Sequence, residues 1–314
     1  MFPLRESLTC KCVLVRTATA VNVDEVKFGV MLYPDVPFPE LQEQARRVEE
    51  LGFDQIFLPD HAANLRDLSG PWFDGLTALT VVAQATSRVR VGMLVANPIL
   101  RPPAVLARHA LSVDHLSGGR LELGLGSGVF DWDHHAVGSQ PWPPAERARR
   151  FVEYLTIVDG VLRGTGEPFT FHGEFLNATD VRTVPSSVQR PRPPIIVGGQ
   201  GPTMLRMAAE SGDVWNTIGP MGADAATVLE VTGRQNRRID ELAVAVGRDP
   251  ATIRRSLALY GPWDPWVAPV KLTEVVDRFG ELGLTEFVMN LPEVARMPEF
   301  ERMATDEIPA LRGR

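Results

Sequence analysis

From residue 26 onward, short runs of apolar and β-branched residues alternate with longer stretches whose apolar positions recur every three or four residues. Alternation of this kind produces parallel strands joined by crossover helices. Eight strand runs can be placed, at residues 27–32, 55–59, 89–95, 120–124, 195–198, 213–217, 254–260 and 286–290. Several are apolar at successive positions, as strands covered on both faces must be. Helical stripes fill the intervals. Leu41, Ala45, Val48 and Leu51 share one face, with Pro39 suited to a first turn and Gly52 to a stop. Ala148, Phe151, Leu155, Val158 and Leu162 form a longer stripe, and Leu272, Val275, Phe279 and Leu282 form another before Gly283. Both predict core that faces a barrel rather than a groove for a partner.

Eight strand–helix pairs predict one closed (β/α)₈ TIM barrel of the α/β class over residues 26–314, because such barrels run to this length as one domain. An open, doubly wound nucleotide-binding sheet would carry Gly-x-Gly-x-x-Gly after its first strand, where this chain has Tyr33-Pro34-Asp35. The fourth and fifth strands lie much further apart than the others, so two insertions are expected between them. One covers residues 129–145 and is rich in Trp, His and Pro. The other covers residues 165–193 and reads as a small hairpin about His172-Gly173.

Composition adds exclusions. At 44% hydrophobic and 23% charged the chain supports a large core, and a net charge of −7 leaves no basic footprint for nucleic acid. Residues 1–25 lack a core pattern and are expected to be a disordered extension. Their apolar run is interrupted by Lys11 and Arg16, too short for a secretory signal, and no stretch is long enough for a membrane span. Cys10 and Cys12 have no His companions, so neither disulfide nor metal is expected, and a cytoplasmic location follows.

In a barrel of this kind chemistry belongs where strands end and the following loops begin. The second strand closes on Pro59-Asp60-His61, placing a carboxylate and an imidazole at the rim, where His61 can exchange a proton with a substrate oxygen. On the third strand Leu94 and Val95 either face the mouth and back a planar ring or belong to a buried strand with a polar cap. Asn97 either meets the cofactor or serves only the turn before Pro98. Gly124, Gly126 and Gly128, with Ser127 among them, remove side chains where a flat ligand approaches backbone, although glycine-rich strand ends are common. Gly198, Gly199, Gly201 and Thr203 precede or open a helix led by Pro202, whose free amides suit a phosphate; a tight strand-to-helix turn is the alternative. Phe130, Trp132 and Trp142 point to an aromatic-lined substrate pocket or to simple lid packing. His134-His135 lacks a third ligand for a metal, and Gly126-Ser127-Gly128 has the wrong spacing for a hydrolase elbow.

Three segments together resemble the bacterial luciferase-like monooxygenases and their deazaflavin-dependent relatives. They are Phe53-Asp54-Gln55-Ile56-Phe57-Leu58-Pro59-Asp60-His61, the run from Leu116-Ser117-Gly118-Gly119-Arg120 to Gly126-Ser127-Gly128, and Arg192-Pro193-Pro194-Ile195-Ile196-Val197-Gly198-Gly199. The resemblance implies a mouth that binds reduced FMN or coenzyme F420 against a non-proline cis peptide, here Leu94–Val95. It also implies that Asp60 and His61 sit beside the reactive ring. Gly126, Ser127 and Gly128 would then line the ring and ribityl tail, and Gly198, Gly199, Gly201 and Thr203 would meet the phosphate. Sugar-phosphate dehydrogenases of the family carry Glu where this chain has Val129.

The expected function is therefore hydride transfer to, or monooxygenation of, a small organic substrate. A homodimer is expected from the resemblance alone. Only 3 of the 32 basic residues are Lys, the bias of a GC-rich genome, which favours F420 over FMN. The alternative is a non-catalytic flavin-binding or partner-subunit member, against which the intact Asp60-His61 pair counts.

Overall fold

A computed structural model describes residues 26–164 and 166–312. The extension expected over residues 1–25, with Cys10 and Cys12, lies outside the described residues. Eight parallel strands close into a barrel, and helices cover its outside. In chain order the elements are β1 Lys27–Met31, α1 Phe38–Glu50, β2 Gln55–Leu58, α2 Gly75–Ala85, β3 Arg90–Ala96, α3 Pro103–Leu116, β4 Leu121–Leu125, α4 Asp131–Ala136 and α5 Pro144–Arg163. They continue with β5 Phe169–His172, β6 Asn177–Val181, β7 Ile195–Gly198, α6 Pro202–Glu210, β8 Val214–Thr217, α7 Ala225–Ala245, β9 Arg254–Ala258, α8 Leu272–Gly280 and β10 Glu286–Asn290. The wall runs β1-β10-β9-β8-β7-β4-β3-β2, and β5 pairs antiparallel with β6 as a separate hairpin.

The expected strands and both insertions are present. The first insertion folds as α4 and its flanks, and the second holds the β5–β6 hairpin. Strand ends differ from expectation by one or two residues, most at β9, which stops at Ala258 rather than residue 260. The helical stripes pack as expected: Leu41, Ala45 and Val48 of α1, Phe151, Leu155, Val158 and Leu162 of α5, and Leu272, Val275 and Phe279 of α8 are buried. Among the described residues no helix is long and apolar enough to cross a membrane.

The lumen is filled in layers, as side chains from alternate strands require. Its lowest layer is ionic. Arg254 on β9 donates to Glu286 on β10 at 2.6 Å and, across the lumen, to Glu122 on β4 at 2.9 Å. Arg90 donates to Glu122 at 2.6 Å, and Gln55 Nε2 lies 3.2 Å from both carboxylates. Burial alone would raise the Glu122 carboxyl, but Arg254 and Arg90 together hold it below the usual range. Above lies an apolar plug of Met31, Phe57, Leu94, Ile196, Val214, Ala258 and Val288, one residue from each of seven strands. The barrel is therefore closed below its mouth, and a ligand is confined to the C-terminal rim.

Because Arg254 bridges two buried carboxylates, Arg254→Met leaves Glu286 without its paired arginine and Glu122 with Arg90 alone. A loss of about 3–5 kcal/mol in unfolding free energy is expected in chemical denaturation. A loss below about 0.5 kcal/mol, the range of a neutral surface change, would contradict this reading of the lowest layer.

Candidate functional site

Three elements meet around one buried carboxylate at the mouth. Asp133, on α4 of the first insertion, is fully buried. Its Oδ2 lies 2.9 Å from His61 Nδ1 and accepts Asn97 Nδ2 at 2.7 Å, while its Oδ1 accepts the Ala62 N–H at 2.7 Å. A carboxylate out of water needs such donors, and here they come from the ends of β2 and β3. The His61 side chain keeps 17% exposure, enough to reach the mouth. Phe130 meets its ring edge-on at 5.3 Å, Trp132 stacks on Phe130 at 4.4 Å, and Trp72 Nε1 donates to the His61 carbonyl at 2.8 Å.

Two expected contact residues are turned inward. Asp60, just past the end of β2, is fully buried, with Oδ2 accepting the Asn97 N–H at 3.0 Å and pairing with Arg101. Arg101 also pairs with Asp74, so the three tie the β2 and β3 loops to the start of α2. Burial raises the Asp60 carboxyl above its ordinary range despite Arg101 beside it. The second oxygen of Asp60, Oδ1, is buried without a hydrogen-bond partner. Asn97 is likewise consumed internally, since its Nδ2 serves Asp133 and its Oδ1 accepts the Ile99 N–H at 3.1 Å.

The glycines also need correction. The Leu94–Val95 peptide is cis, as the resemblance implies. Val95 then fills the space that the glycines leave. A Cβ on Gly126 would overlap Val95 Cγ2, one on Gly198 would fall 2.7 Å from Val95 Cγ1, and one on Gly124 would be 3.2 Å from Val95 Cγ1. Gly126 and Gly198 thus admit Val95, while Gly124 passes under the Met93 carbonyl, whose oxygen a Cβ would overlap, and Leu94 and Val95 supply apolar surface on β3. Gly128 sits against Ile99 with φ of 71°, beside the partly buried Ser127.

At the end of β7 the expected anion seat is open. Gly199, at φ 149°, passes over Met204, where a Cβ would come within 2.9 Å of Met204 Cγ. Its carbonyl accepts Trp215 Nε1 at 2.9 Å, which fixes the turn. Helix α6 has Gly201 as an N-cap with no side-chain cap, and nothing lies within 4 Å of a Cβ built on Gly201. The first α6 hydrogen bond to Gly201 O comes from Leu205, leaving the Thr203 and Met204 amides among the orphan donors of the first turn.

Trp142 lies in the loop between α4 and α5. Its ring meets His134 at 4.7 Å and lies under the Arg150 guanidinium at 4.7 Å, so it packs the insertion on α5. Sequence reasoning passed over a second polar group on the rim. Tyr33 donates to Asn290 Oδ1 at 2.8 Å, Asn290 Nδ2 donates to Asp264 at 2.9 Å, and the exposed Tyr260 hydroxyl lies 3.5 Å from that of Tyr33. Their signal was their place at or just past the ends of β1, β9 and β10. Asp133 was signalled only by an acidic residue among aromatics after β4. Cavities of about 600 Å³ between α3, α5 and the loop after β6, and of about 510 Å³ between α7 and α8, lie on the outer layer, away from these groups.

An ordered imidazole, an apolar wall and an uncapped helix start thus meet at the mouth of one TIM barrel. The model of the luciferase-like monooxygenases matches residues 23–261, and the chain belongs to that family. It is 26% identical over 322 residues to the F420-dependent glucose-6-phosphate dehydrogenase of Intrasporangium calvum, covering 87% of this chain and 95% of that protein. It is 33% identical over 193 residues to the 5,10-methylenetetrahydromethanopterin reductase of Archaeoglobus fulgidus, covering 60% of this chain and 52%, about half, of that relative. In fold it is similar to an F420-dependent secondary alcohol dehydrogenase in complex with an F420-acetone adduct, with a TM-score of 0.76 at 20% identity over 92% of this chain and 99% of that one. It is also similar in fold to the FMN-bound oxygenating constituent of 3,6-diketocamphane monooxygenase from Pseudomonas putida, with a TM-score of 0.66 at 15% identity over 91% and 98% of the two chains.

The two glycine environments give opposite expectations. Gly126→Ala must displace Val95 and is expected to destabilise the fold by about 1–3 kcal/mol. Gly201→Ala, in open space at negative φ, is expected to stay within about 0.5 kcal/mol. Thermal unfolding of the two variants checks the ranking, and equal stability would contradict the Val95 packing.

Proposed function

We propose that the protein is an F420-dependent oxidoreductase that transfers hydride between the deazaflavin and a small organic substrate. The observation that carries this reading is His61, held by Asp133 at the end of β2 while its ring remains open to the mouth. Asn97, two residues beyond Val95, shares the same carboxylate, so the imidazole is tied to the strand that would back the ring.

The residues present fit such a cofactor. Leu94 and Val95 offer a flat apolar wall, Ser127 and Gly128 border it, and the Thr203 and Met204 amides with Gly201 would take the phosphate at the positive end of α6. When bound, the deazaflavin supplies the redox chemistry, as cofactors do, and the chain's part is position and electrostatics. His61 holds or releases a proton at the substrate oxygen. Phe130 and Trp132 cover the imidazole and present apolar surface to a substrate carbon frame. Val129, exposed where the family's sugar-phosphate dehydrogenases carry Glu, favours a substrate other than a sugar phosphate.

The test supplies purified protein with reduced F420 and a panel of ketones, aldehydes and enones, or with oxidised F420 and secondary alcohols, and follows F420 absorbance. Turnover is expected with F420, and His61→Ala is expected to lower it by roughly 10²- to 10⁴-fold with little change in F420 affinity. Turnover supported only by reduced FMN and oxygen would overturn the deazaflavin reading. An unchanged rate in His61→Ala would remove the imidazole from the chemistry.

A further inference from the structure

We infer that Asp133 is a positioning residue that holds His61 in its Nδ1–H tautomer, so that the neutral imidazole presents a bare Nε2 to the mouth as a proton acceptor. The inference rests on the oxidoreductase reading for its catalytic consequence, but the tautomer itself follows from donor and acceptor chemistry.

Three groups converge on the Asp133 carboxylate. The Ala62 N–H and the Asn97 Nδ2 amide can only donate at those atoms. Oδ2 is shared between Asn97 Nδ2 at 2.7 Å and His61 Nδ1 at 2.9 Å. A carboxylate fixed by two N–H donors has no hydrogen to give, so the contact with His61 requires the proton to be on Nδ1. The tautomer of a histidine is set by the hydrogen bond its other nitrogen makes, and here that leaves Nε2 with its lone pair. Asn97 is itself fixed, since its own N–H is held by Asp60, which is paired to Arg101. Phe130, edge-on to the ring, holds the plane in which Nε2 points.

The consequence is a defined proton path. In the oxidising direction a substrate alcohol would give its O–H proton to Nε2, while a bound deazaflavin would supply the acceptor for the C–H hydride, leaving a carbon–oxygen double bond on the substrate. In the reverse direction a protonated Nε2 returns that proton as the hydride arrives on carbon. The third member of this arrangement comes from an insertion 72 residues away from His61, not from the barrel strands.

The tautomer is read directly by long-range ¹H–¹⁵N correlation on protein labelled at its 6 histidines, with His61 assigned by the signals lost in His61→Gln. In the wild type at neutral imidazole, Nδ1 is expected to be pyrrole-like and Nε2 pyridine-like. In Asp133→Asn, with the amide oxygen kept on the Ala62 N–H, the amide nitrogen faces both His61 Nδ1 and Asn97 Nδ2 as a donor, so the Asn97 contact is lost along with the carboxylate. His61 is expected to switch to the Nε2–H tautomer. With F420 and a substrate found in the turnover panel, Asp133→Asn is expected to lower kcat by roughly 10²- to 10⁴-fold with KM little changed. In a His61→Ala background the same substitution is expected to add no further loss, because both changes remove one function.

A wild-type His61 carrying its proton on Nε2 overturns the proposal without any variant, including the case in which Asp133→Asn does not fold. Additive losses in the double variant would also overturn it, as an independent structural role would produce them. If no cofactor supports turnover, the oxidoreductase reading fails while the tautomer still stands or falls on the spectrum.

Discussion

A carboxylate withdrawn from water needs donors, and the mouth of this barrel is organised around two such groups, Asp133 with both oxygens paired and Asp60 with only Oδ2 paired. Asp133 gathers Ala62, Asn97 and His61. Asp60 gathers the Asn97 backbone and Arg101, which in turn takes Asp74. Asn97 belongs to both sets, through its side chain in one and its backbone in the other. The ends of β2 and β3, the start of α2 and the insertion after β4 therefore form one hydrogen-bonded unit around a single imidazole. Removing any one partner leaves a buried charge uncompensated, and groups that share such a network act on one another's geometry.

The lumen below explains why this unit sits at the rim and nowhere else. Ion pairs among Arg254, Glu122, Glu286 and Arg90 occupy the lowest layer, and seven apolar side chains close the middle. Val95 locks β3 against the side-chain-free positions of β4 and β7, giving a smooth wall next to the imidazole. On the far side Tyr33, Asn290, Asp264 and Tyr260 form a polar chain, with Trp72 between Tyr33 and the His61 carbonyl. An apolar wall, an oriented acid–base group and unshared amides at a helix start are what a tricyclic ring with a phosphate tail requires.

Much of this was readable in the sequence, for reasons that differ by element. The strands, the stripes of α1, α5 and α8 and the β5–β6 hairpin follow from periodicity, which local burial imposes directly. His61 was found because strand ends of a barrel carry chemistry. Other features depend on partners distant in the chain. A run of glycines records where side chains are absent but not what fills the gap, so Gly126 and Gly198 were read as a ligand seat when they receive Val95. Asp60 was read as a contact residue because it adjoins His61, yet neighbours at the end of a strand point to opposite sides, and Asp60 turns towards Arg101. Asp133 reaches Asn97 from 36 residues away, and Trp142 meets Arg150. No periodic pattern encodes contacts made by an insertion.

The central claim is that a planar deazaflavin lies on the Leu94–Val95 wall with its reactive face towards His61 Nε2 and its phosphate on the first turn of α6. A crystal structure of the protein with F420 tests this most directly. The account predicts ring density against Val95, His61 still on Asp133, and phosphate oxygens within hydrogen-bond reach of the Thr203 and Met204 amides. Density for the cofactor elsewhere on the barrel, or a phosphate remote from α6, would contradict it.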